Sequence, residues 1–292
     1  MAPKAIITAV TGIQAAALAR AFQAAGYAVT GQSRKPPASP IPGITHATAD
    51  PEAPGALEAL FEGAVVVCVT APIDHRPGAR QRFAARIAEA AGRAGVGRIV
   101  FNTAAVVWEE WEKPTSAVLR EMRSILSAGP VPVNVVQPTV YMDNLVQPWA
   151  ADAMLAKGLL LYSAVPEAPI AWISHRSLGD FCVAAARIPT TGRVFDVGGP
   201  QNLTGPEVAA ILSRRLGRPL TYTRLPPAGF AAALNAAYGA PAGDEIAELY
   251  NYLEAHPTGM SRDPAAYAEL GVQPETLESW AARTSWPGHP AG

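Results

Sequence analysis

Charge is scarce in this chain. Only 16% of its 292 residues are Asp, Glu, Lys or Arg, and their formal sum is −1. The basic residues are scattered, so neither nucleic acid nor an anionic membrane surface is an expected partner. Lysine occurs only at Lys4, Lys35, Lys113 and Lys157. The two cysteines, Cys68 and Cys182, lie in the apolar stretches 65–70 and 181–186, which marks buried free thiols rather than a disulfide or a catalytic thiol. The histidines His46, His75, His175, His256 and His289 show no ligand spacing with one another or with the cysteines, so no metal is expected. No apolar run approaches the roughly 18–20 residues of a membrane span. No basic-then-apolar leader is evident either, because strand-like residues begin at Ala5. These absences together lead to the expectation of a soluble cytoplasmic protein.

What is present is an apolar chain, 49% hydrophobic, long enough for one large core or a core with a smaller lobe. Strands are expected at 5–9, 28–31, 44–47, 64–69, 98–101 and 133–136, with helices at 15–25, 54–60, 80–94 and 115–128 between them. The Pro-rich segment 34–43 is loop, because proline fits neither a central strand nor a helix interior. Residues 64–69 are apolar on both faces, as a central parallel strand should be. Such alternation gives an α/β fold, a Rossmann-type doubly wound parallel sheet with helices on both faces. After Pro138, short strands (159–162, 171–173, 194–197) mix with helices at 177–186 and 205–216, and the tail from 226 to 286 is mostly helical. The expected organisation is a main domain over 1–150, to which 188–200 returns as an edge strand. A small, mostly helical C-terminal lobe made from 151–187 and 201–292 would roof the C-terminal strand ends, where open sheets bind ligands.

The densest signal is Ile6-Ile7-Thr8-Ala9-Val10-Thr11-Gly12-Ile13-Gln14-Ala15, a strand, a tight turn and the start of a helix. A dinucleotide fold places its pyrophosphate-cradling glycine turn here, yet only Gly12 of the three expected glycines is present. Pyrophosphate needs backbone amides at a helix N-terminus and little side-chain bulk, which Thr11, Gly12, Ile13 and Gln14 supply. Ala15 is a conservative replacement at a packing position, and Ala9 fits provided its φ is negative. From this turn alone, a strand–turn–helix without a ligand is an equal alternative. The end of the second strand tips the balance. Gly31-Gln32-Ser33-Arg34-Lys35 lacks the acid that would take the ribose hydroxyls of NAD. It carries instead a hydroxyl, a guanidinium and an ammonium about twenty residues after the turn, as a 2′-phosphate requires. The expected cofactor is NADP(H), held by the turn residues together with Ser33, Arg34 and Lys35. Asp50 either accepts from the adenine amino group or caps a helix.

Thr11-Gly12-Ile13-Gln14, Arg34 and the stretch Gln137-Pro138-Thr139-Val140-Tyr141-Met142-Asp143-Asn144-Leu145 resemble the NmrA-like group of atypical short-chain dehydrogenases/reductases. Val197-Gly198-Gly199-Pro200-Gln201-Asn202-Leu203-Thr204 and Leu216-Gly217-Arg218-Pro219 are similar to that group's C-terminal lobe, so the resemblance spans nearly the whole chain. It implies a Rossmann domain with a small lobe, and NADP(H) as the usual cofactor. Thr70, Ala71, Pro72, Asn102 and Thr103 would line the dinucleotide, and Pro138, Thr139 and Val140 would position the nicotinamide. The group includes reductases of quinones, phenylpropanoids and other small carbonyl or alkene substrates. It also includes redox-sensing regulators that bind dinucleotide without catalysis.

A typical short-chain reductase uses a Tyr-x-x-x-Lys pair with an upstream Ser, the tyrosine donating a proton and the lysine lowering its pKa. No Tyr here has Lys four residues later, and in Phe101-Asn102-Thr103-Ala104-Ala105 the usual serine position is Ala104. Tyr141 and Thr103 are the candidate catalytic residues. The Tyr141 phenol would protonate an oxyanion or serve as an aromatic pocket wall, and Thr103 is the nearest hydroxyl. Trp108, Trp111, Tyr141, Trp172 and His175 are the candidate substrate contacts, with Trp149 bordering the same cleft. Aromatic walls suit a flat, conjugated substrate. His175 and the tryptophans have structural alternatives as packing residues. Asp143 and Asn144 read as helix caps, and Glu109, Glu110 and Glu112 as a solvated face. The leading expectation is an NADPH-dependent reductase of a small conjugated carbonyl, quinone or alkene, acceptors that need little acid assistance. One alternative is a non-catalytic NADP(H)-binding redox sensor; the other is a non-redox isomerase, cyclase or dehydratase on the same fold. The expected partner is a small molecule, and the expected state a monomer or homodimer.

Overall fold

The computed structural model describes residues 1–286; positions 287–292, His289 among them, lie outside it. Among the described residues nine strands run β1 (Lys4–Ile7), β2 (Ala28–Ser33), β3 (Thr45–Thr48), β4 (Ala64–Thr70), β5 (Arg98–Asn102), β6 (Val133–Pro138), β7 (Leu159–Tyr162), β8 (Val194–Val197) and β9 (Thr221–Arg224). The helices are α1 (Ile13–Ala24), α2 (Ala56–Phe61), α3 (Ala79–Arg93), α4 (Pro114–Ser127), α5 (Pro148–Lys157), α6 (His175–Arg187), α7 (Gly205–Leu216), α8 (Pro227–Tyr238), α9 (Ala242–Ala255) and α10 (Leu277–Arg283). Seven strands form one parallel sheet in the order β3-β2-β1-β4-β5-β6-β8. The strand order reverses between β1 and β4, the switch point at which doubly wound sheets bind ligands beyond the strand ends. β8 takes the expected edge place, pairing parallel with β6 from Val135↔Val194 to Pro138↔Val197.

The central strands are apolar on both faces because helices cover both. Ile6, Val67, Val69, Ile99, Phe101, Val133 and Val135 pack with Leu57 and Phe61 of α2, Ala84 and Ile87 of α3, and Leu119, Met122 and Leu126 of α4. Elsewhere α1 lies against α6. Small residues set that approach, since a Cβ on Gly179 would stand 2.7 Å from the Ala21 methyl and 3.2 Å from the Ala17 carbonyl oxygen. Cys68 of β4 and Cys182 of α6 are buried free thiols, as expected. Cys68 beside it, together with burial, pushes the Cys182 thiol well above its usual range, which disfavours the thiolate.

Buried polar side chains fasten the far edge of the sheet. Asn134 Nδ2 donates to the carbonyl oxygens of Ala185 and Thr190, both at 3.0 Å, and its Oδ1 accepts from the Arg193 N–H at 3.2 Å. Arg98 Nη1 donates to the carbonyls of Ala185, Ile188 and Thr190.

The chain divides into two units, and the division differs from the expected one. The first unit comprises Met1–Pro138, His175–Val197 and Ala265–Val272. The second comprises Thr139–Ser174, Gly198–Pro264 and the described residues from Gln273 on. The expectation gave 139–150 to the main domain, and 175–187 and 265–272 to the lobe. The structure assigns them the other way because α6 buries Leu178, Phe181, Cys182 and Ala185 in the main unit, with the Phe181 ring 5.1 Å from Tyr267. The second unit holds the two-stranded parallel sheet β7-β9 and helices α5, α7, α8, α9 and α10. The strand expected at 171–173 is only a pair of isolated bridges, Tyr141↔Ile173 and Ile170↔Leu203. No described helix is long and apolar enough to cross a membrane.

Candidate dinucleotide site

Four parallel strand ends of the first unit build the site. At the end of β1 the chain turns over Thr8–Thr11 into α1, whose N-cap Gly12 makes no side-chain cap and whose first turn carries no acid. The leading N–H groups of such a helix have no intrahelical acceptor and offer an anion their dipole. A Cβ on Gly12 would stand 3.3 Å from the Ala9 carbonyl oxygen, tight enough that only glycine sits there at ease. The expectation for Ala9 is corrected by its φ of 54°, which lies in the left-handed region. Only Ala9 and Ala104 show positive φ among the described non-glycine residues. Gln32 of β2, almost wholly buried, explains how the turn at Ala9 persists. Its Oε1 accepts the Ala9 N–H at 3.1 Å, its backbone oxygen accepts the Val10 N–H at 2.9 Å, and its Nε2 donates to the Ala49 carbonyl at 2.6 Å. Gly31 beside it is required, since a Cβ there would meet the Val10 side chain at 2.7 Å.

Beyond β2 the three expected 2′-phosphate residues part company. The Ser33 hydroxyl is buried and donates to the Lys35 carbonyl at 2.6 Å, so it shapes the loop. Arg34 and Lys35 are exposed. Asp50, after β3, caps no helix, since α2 starts six residues later behind Gly55; its Oδ1 accepts the Glu52 N–H at 3.0 Å and closes a local turn.

The β4 loop carries a pair that sequence reasoning missed. Arg76 grips Asp74 through Nε at 3.0 Å and Nη2 at 2.7 Å and lies 3.6 Å from Glu52. The Arg76 hydrogen bond holds the Asp74 carboxyl at about 2 against a burial effect that opposes it, and the Arg34 charge lowers it further. The sequence signal was an Asp-x-Arg directly beyond a central strand.

Asn102, fully buried at the end of β5, links the neighbouring ends. Its Nδ2 donates to Gln14 Oε1 at 3.0 Å and to Thr70 Oγ1 at 3.4 Å, and its Oδ1 accepts the Ala104 N–H at 3.0 Å. The Thr103 hydroxyl is buried and donates to the Ala105 carbonyl at 2.6 Å. That bond corrects its candidacy as an acid, because the proton is spent on holding the β5 turn. Thr70 ends β4, with Ala71 and Pro72 next, and the Ala71 N–H donates to the Asn102 carbonyl at 3.0 Å. In the loop after β5 the rings of Trp108 and Trp111 meet edge-on at 5.3 Å, and Arg120 Nη1 donates to both their carbonyls, at 2.7 and 2.9 Å. Glu109 pairs with Arg123 at 2.6 Å rather than standing on a purely solvated face. His175 is a nearly buried first residue of α6. Among the described residues no group of His, Cys, Asp and Glu could hold a metal.

Pro138 ends β6 in the first unit. In the second, the Thr139 hydroxyl donates to the Ala171 carbonyl, and Val140 and Met142 exchange backbone bonds of 2.9 Å with Ile173. Tyr141 between them is buried. Asp143 does not cap a helix: neither the 3₁₀ turn Met142–Val146 nor α5 has a side-chain cap bond at its start. Asn144 instead donates to the Tyr162 hydroxyl at 3.4 Å. Trp149 and Trp172 belong to one aromatic cluster around Tyr162, with ring centroids 5.9 and 5.1 Å from it, joined by Phe230 at 5.3 Å and Tyr250 at 5.6 Å. The Trp172 ring meets Tyr162 edge-on, and its buried Nε1 has no hydrogen-bond partner.

Known proteins share this architecture. The chain is 29% identical over 242 residues to an NAD(P)H azoreductase of Xenophilus azovorans, covering 78% of this chain and 82% of that protein. It is 32% identical over 201 residues to a (4-alkanoyl-5-oxo-2,5-dihydrofuran-3-yl)methyl phosphate reductase of Streptomyces griseus, covering 68% and 69%. The NADPH complex of the quinone oxidoreductase QOR2 of Escherichia coli has the same fold, with a TM-score of 0.75 at 21% identity over 95% of this chain and 98% of that one. The model of the NmrA-like family matches residues 2–281, and the chain belongs to that family.

Proposed function

We propose that this protein is an NADP(H)-dependent reductase of a small, flat, conjugated acceptor such as a quinone, an azo compound or a polarised alkene. The observation that carries the reading is the uncapped, acid-free start of α1 beside the exposed cations Arg34 and Lys35. The residues fit the cofactor: Thr11, Gly12 and Ile13 are exposed, and no side chain caps the start of α1. The N–H groups of Ile13 and Gln14 would take the pyrophosphate, and Arg34 with Lys35 the 2′-phosphate. Asn102, Thr70, Ala71 and Pro72 would line the dinucleotide, and Pro138, Thr139 and Val140 would set the nicotinamide. When bound, NADPH supplies a hydride. The protein's part is mainly to orient donor and acceptor, which needs no ionisable pair. Tyr141 is the phenol proposed to hold the proton for the reduced product; Trp108, Trp111 and His175 of the first unit are proposed substrate contacts, while Trp172 packs in the Tyr162 cluster. The reductase relatives, an azoreductase and an unsaturated-lactone reductase by name, support this acceptor class.

Fluorescence titration of the purified protein with NADPH and NADH, followed by a screen of quinones, azo dyes and enones for cofactor oxidation, tests it. NADPH binding tighter than about 1 mM with turnover of at least one acceptor is expected. No binding at that level would defeat the proposal. Tight binding with no acceptor turned over would replace it with a dinucleotide-binding regulator.

A further inference from the structure

We infer that Gln32 is the positioning residue of the pyrophosphate turn, its side-chain amide standing in for the conformational freedom that a glycine at position 9 would supply. The inference rests on the proposed cofactor site and adds a residue to it. A left-handed φ disfavours any L-residue with a Cβ, and Ala9 stands at 54°. Something must hold it there. The Gln32 side chain does so from a neighbouring strand: Oε1 takes the Ala9 N–H at 3.1 Å while Nε2 anchors on the Ala49 carbonyl at 2.6 Å. The Val10 N–H closes on the Gln32 backbone oxygen at 2.9 Å, and the Gly12 N–H closes on the Ala9 oxygen at 2.9 Å. One side chain thus ties together the ends of β1, β2 and β3. The Ala9 conformation it secures turns the chain so that Gly12 and the first amides of α1 follow.

Polarity inside β2 would be costly without such a purpose. Gln32 is 3% exposed, and both ends of its amide are bonded to backbone across two different strand gaps. An amide gives from one atom and accepts at another, which is what two backbone partners of opposite kind require. At the β5 turn the same device recurs, with Asn102 Oδ1 taking the N–H of the other left-handed alanine, Ala104, at 3.0 Å.

The test is a double-mutant cycle on the full chain, read by NADPH dissociation constant and by melting temperature. Gln32→Leu should weaken NADPH binding about tenfold or more, because Ala9 relaxes out of its strained conformation and the amides of α1 lose their aim. Ala9→Gly alone should leave binding within about threefold of the unaltered protein, since glycine adopts positive φ without strain. In the double variant, Ala9→Gly should restore binding to within about threefold of Ala9→Gly alone while the melting temperature stays depressed. A purely structural role for Gln32 would not be rescued in this way. Gln32→Asn, whose amide is one methylene too short to span both partners, serves the same cycle if the leucine variant does not fold. A folded Gln32 variant with unchanged affinity overturns the inference, as does a double variant that binds as weakly as the Gln32 single. Absence of NADPH binding in the unaltered protein would defeat the proposed function itself, which separates the two failures.

Discussion

Raising the pH should unlock the second unit from its centre. The Tyr162 phenol is fully buried, and burial pushes its pKa from 10.0 up to about 12 even though Tyr250 and Asn144 donate to its oxygen and favour the phenolate. Between these two values the folded chain holds a proton that the unfolded chain has lost. Stability is therefore fully present below about pH 10 and falls as the pH rises toward 12. That displacement of the pKa corresponds to a few kcal/mol, roughly 3, by pH 12. Tyr250 and Tyr222 are also raised, chiefly by burial, so the cluster loses more than this. Absorbance of the phenolate band, recorded beside circular dichroism from pH 8 to 12.5, checks the account. Of the eight tyrosines, Tyr162, Tyr222 and Tyr250 should ionise only together with loss of structure. Tyr162→Phe should lose about 1–3 kcal/mol at pH 7, because the Tyr250 hydroxyl and the Asn144 amide lose their acceptor, and it should show a shallower alkaline slope. Ionisation of all eight phenols near pH 10 in a still-folded chain would refute the reasoning, and so would an unchanged slope in the phenylalanine variant.

Other expectations concern the first unit and the proposed chemistry. Arg34→Ala should weaken NADPH about 10- to 100-fold and leave NADH nearly unchanged, measured as two dissociation constants; equal losses would remove Arg34 from the 2′-phosphate. Asp74→Asn should act in the opposite direction, strengthening NADPH over NADH by up to about fivefold, since it removes an acid that interacts with the Arg34 charge. Raising the salt should shrink this gain, and a gain insensitive to salt would mean that it is not electrostatic. Tyr141→Phe should lower kcat about 10²-fold for an acceptor whose product takes up a proton while leaving the NADPH dissociation constant within about twofold; unchanged turnover would return Tyr141 to a packing role.

The sheet was legible because its central strands are apolar on both faces and several of its helices end on glycine or start at proline, signals that depend on nearest neighbours along the chain. β7, β8 and α7 fall where the apolar pattern puts them. β9 was missed, and the helix expected from 143–144 starts only at Pro148: α5 buries little beyond Ala150, Ala151 and Met154, and no residue of β9 is fully buried. Pattern reading also misplaced α6, because a helix's apolar face says that it packs but not against which partner. In the candidate site the cations after β2 were readable from spacing. The work of Ser33, Thr103 and Asn102 was not, since a hydroxyl or amide in a turn looks alike whether it meets a ligand or the backbone two residues on. The φ of Ala9 was hidden for a similar reason: it is imposed by Gln32, 23 residues away.

The first unit is assembled from three separated stretches, the last being Ala265–Val272. On a ribosome, β6 emerges well before the residues that cover its open side. Until 185–197 follow, Arg98 and Asn134 have none of the carbonyls they hold in the finished sheet, and β6 is a bare edge of buried valines. Shortening the gene at Pro138 would therefore yield an aggregation-prone fragment rather than a smaller cofactor-binding protein. Any minimal version would have to splice α6 and β8 directly behind β6.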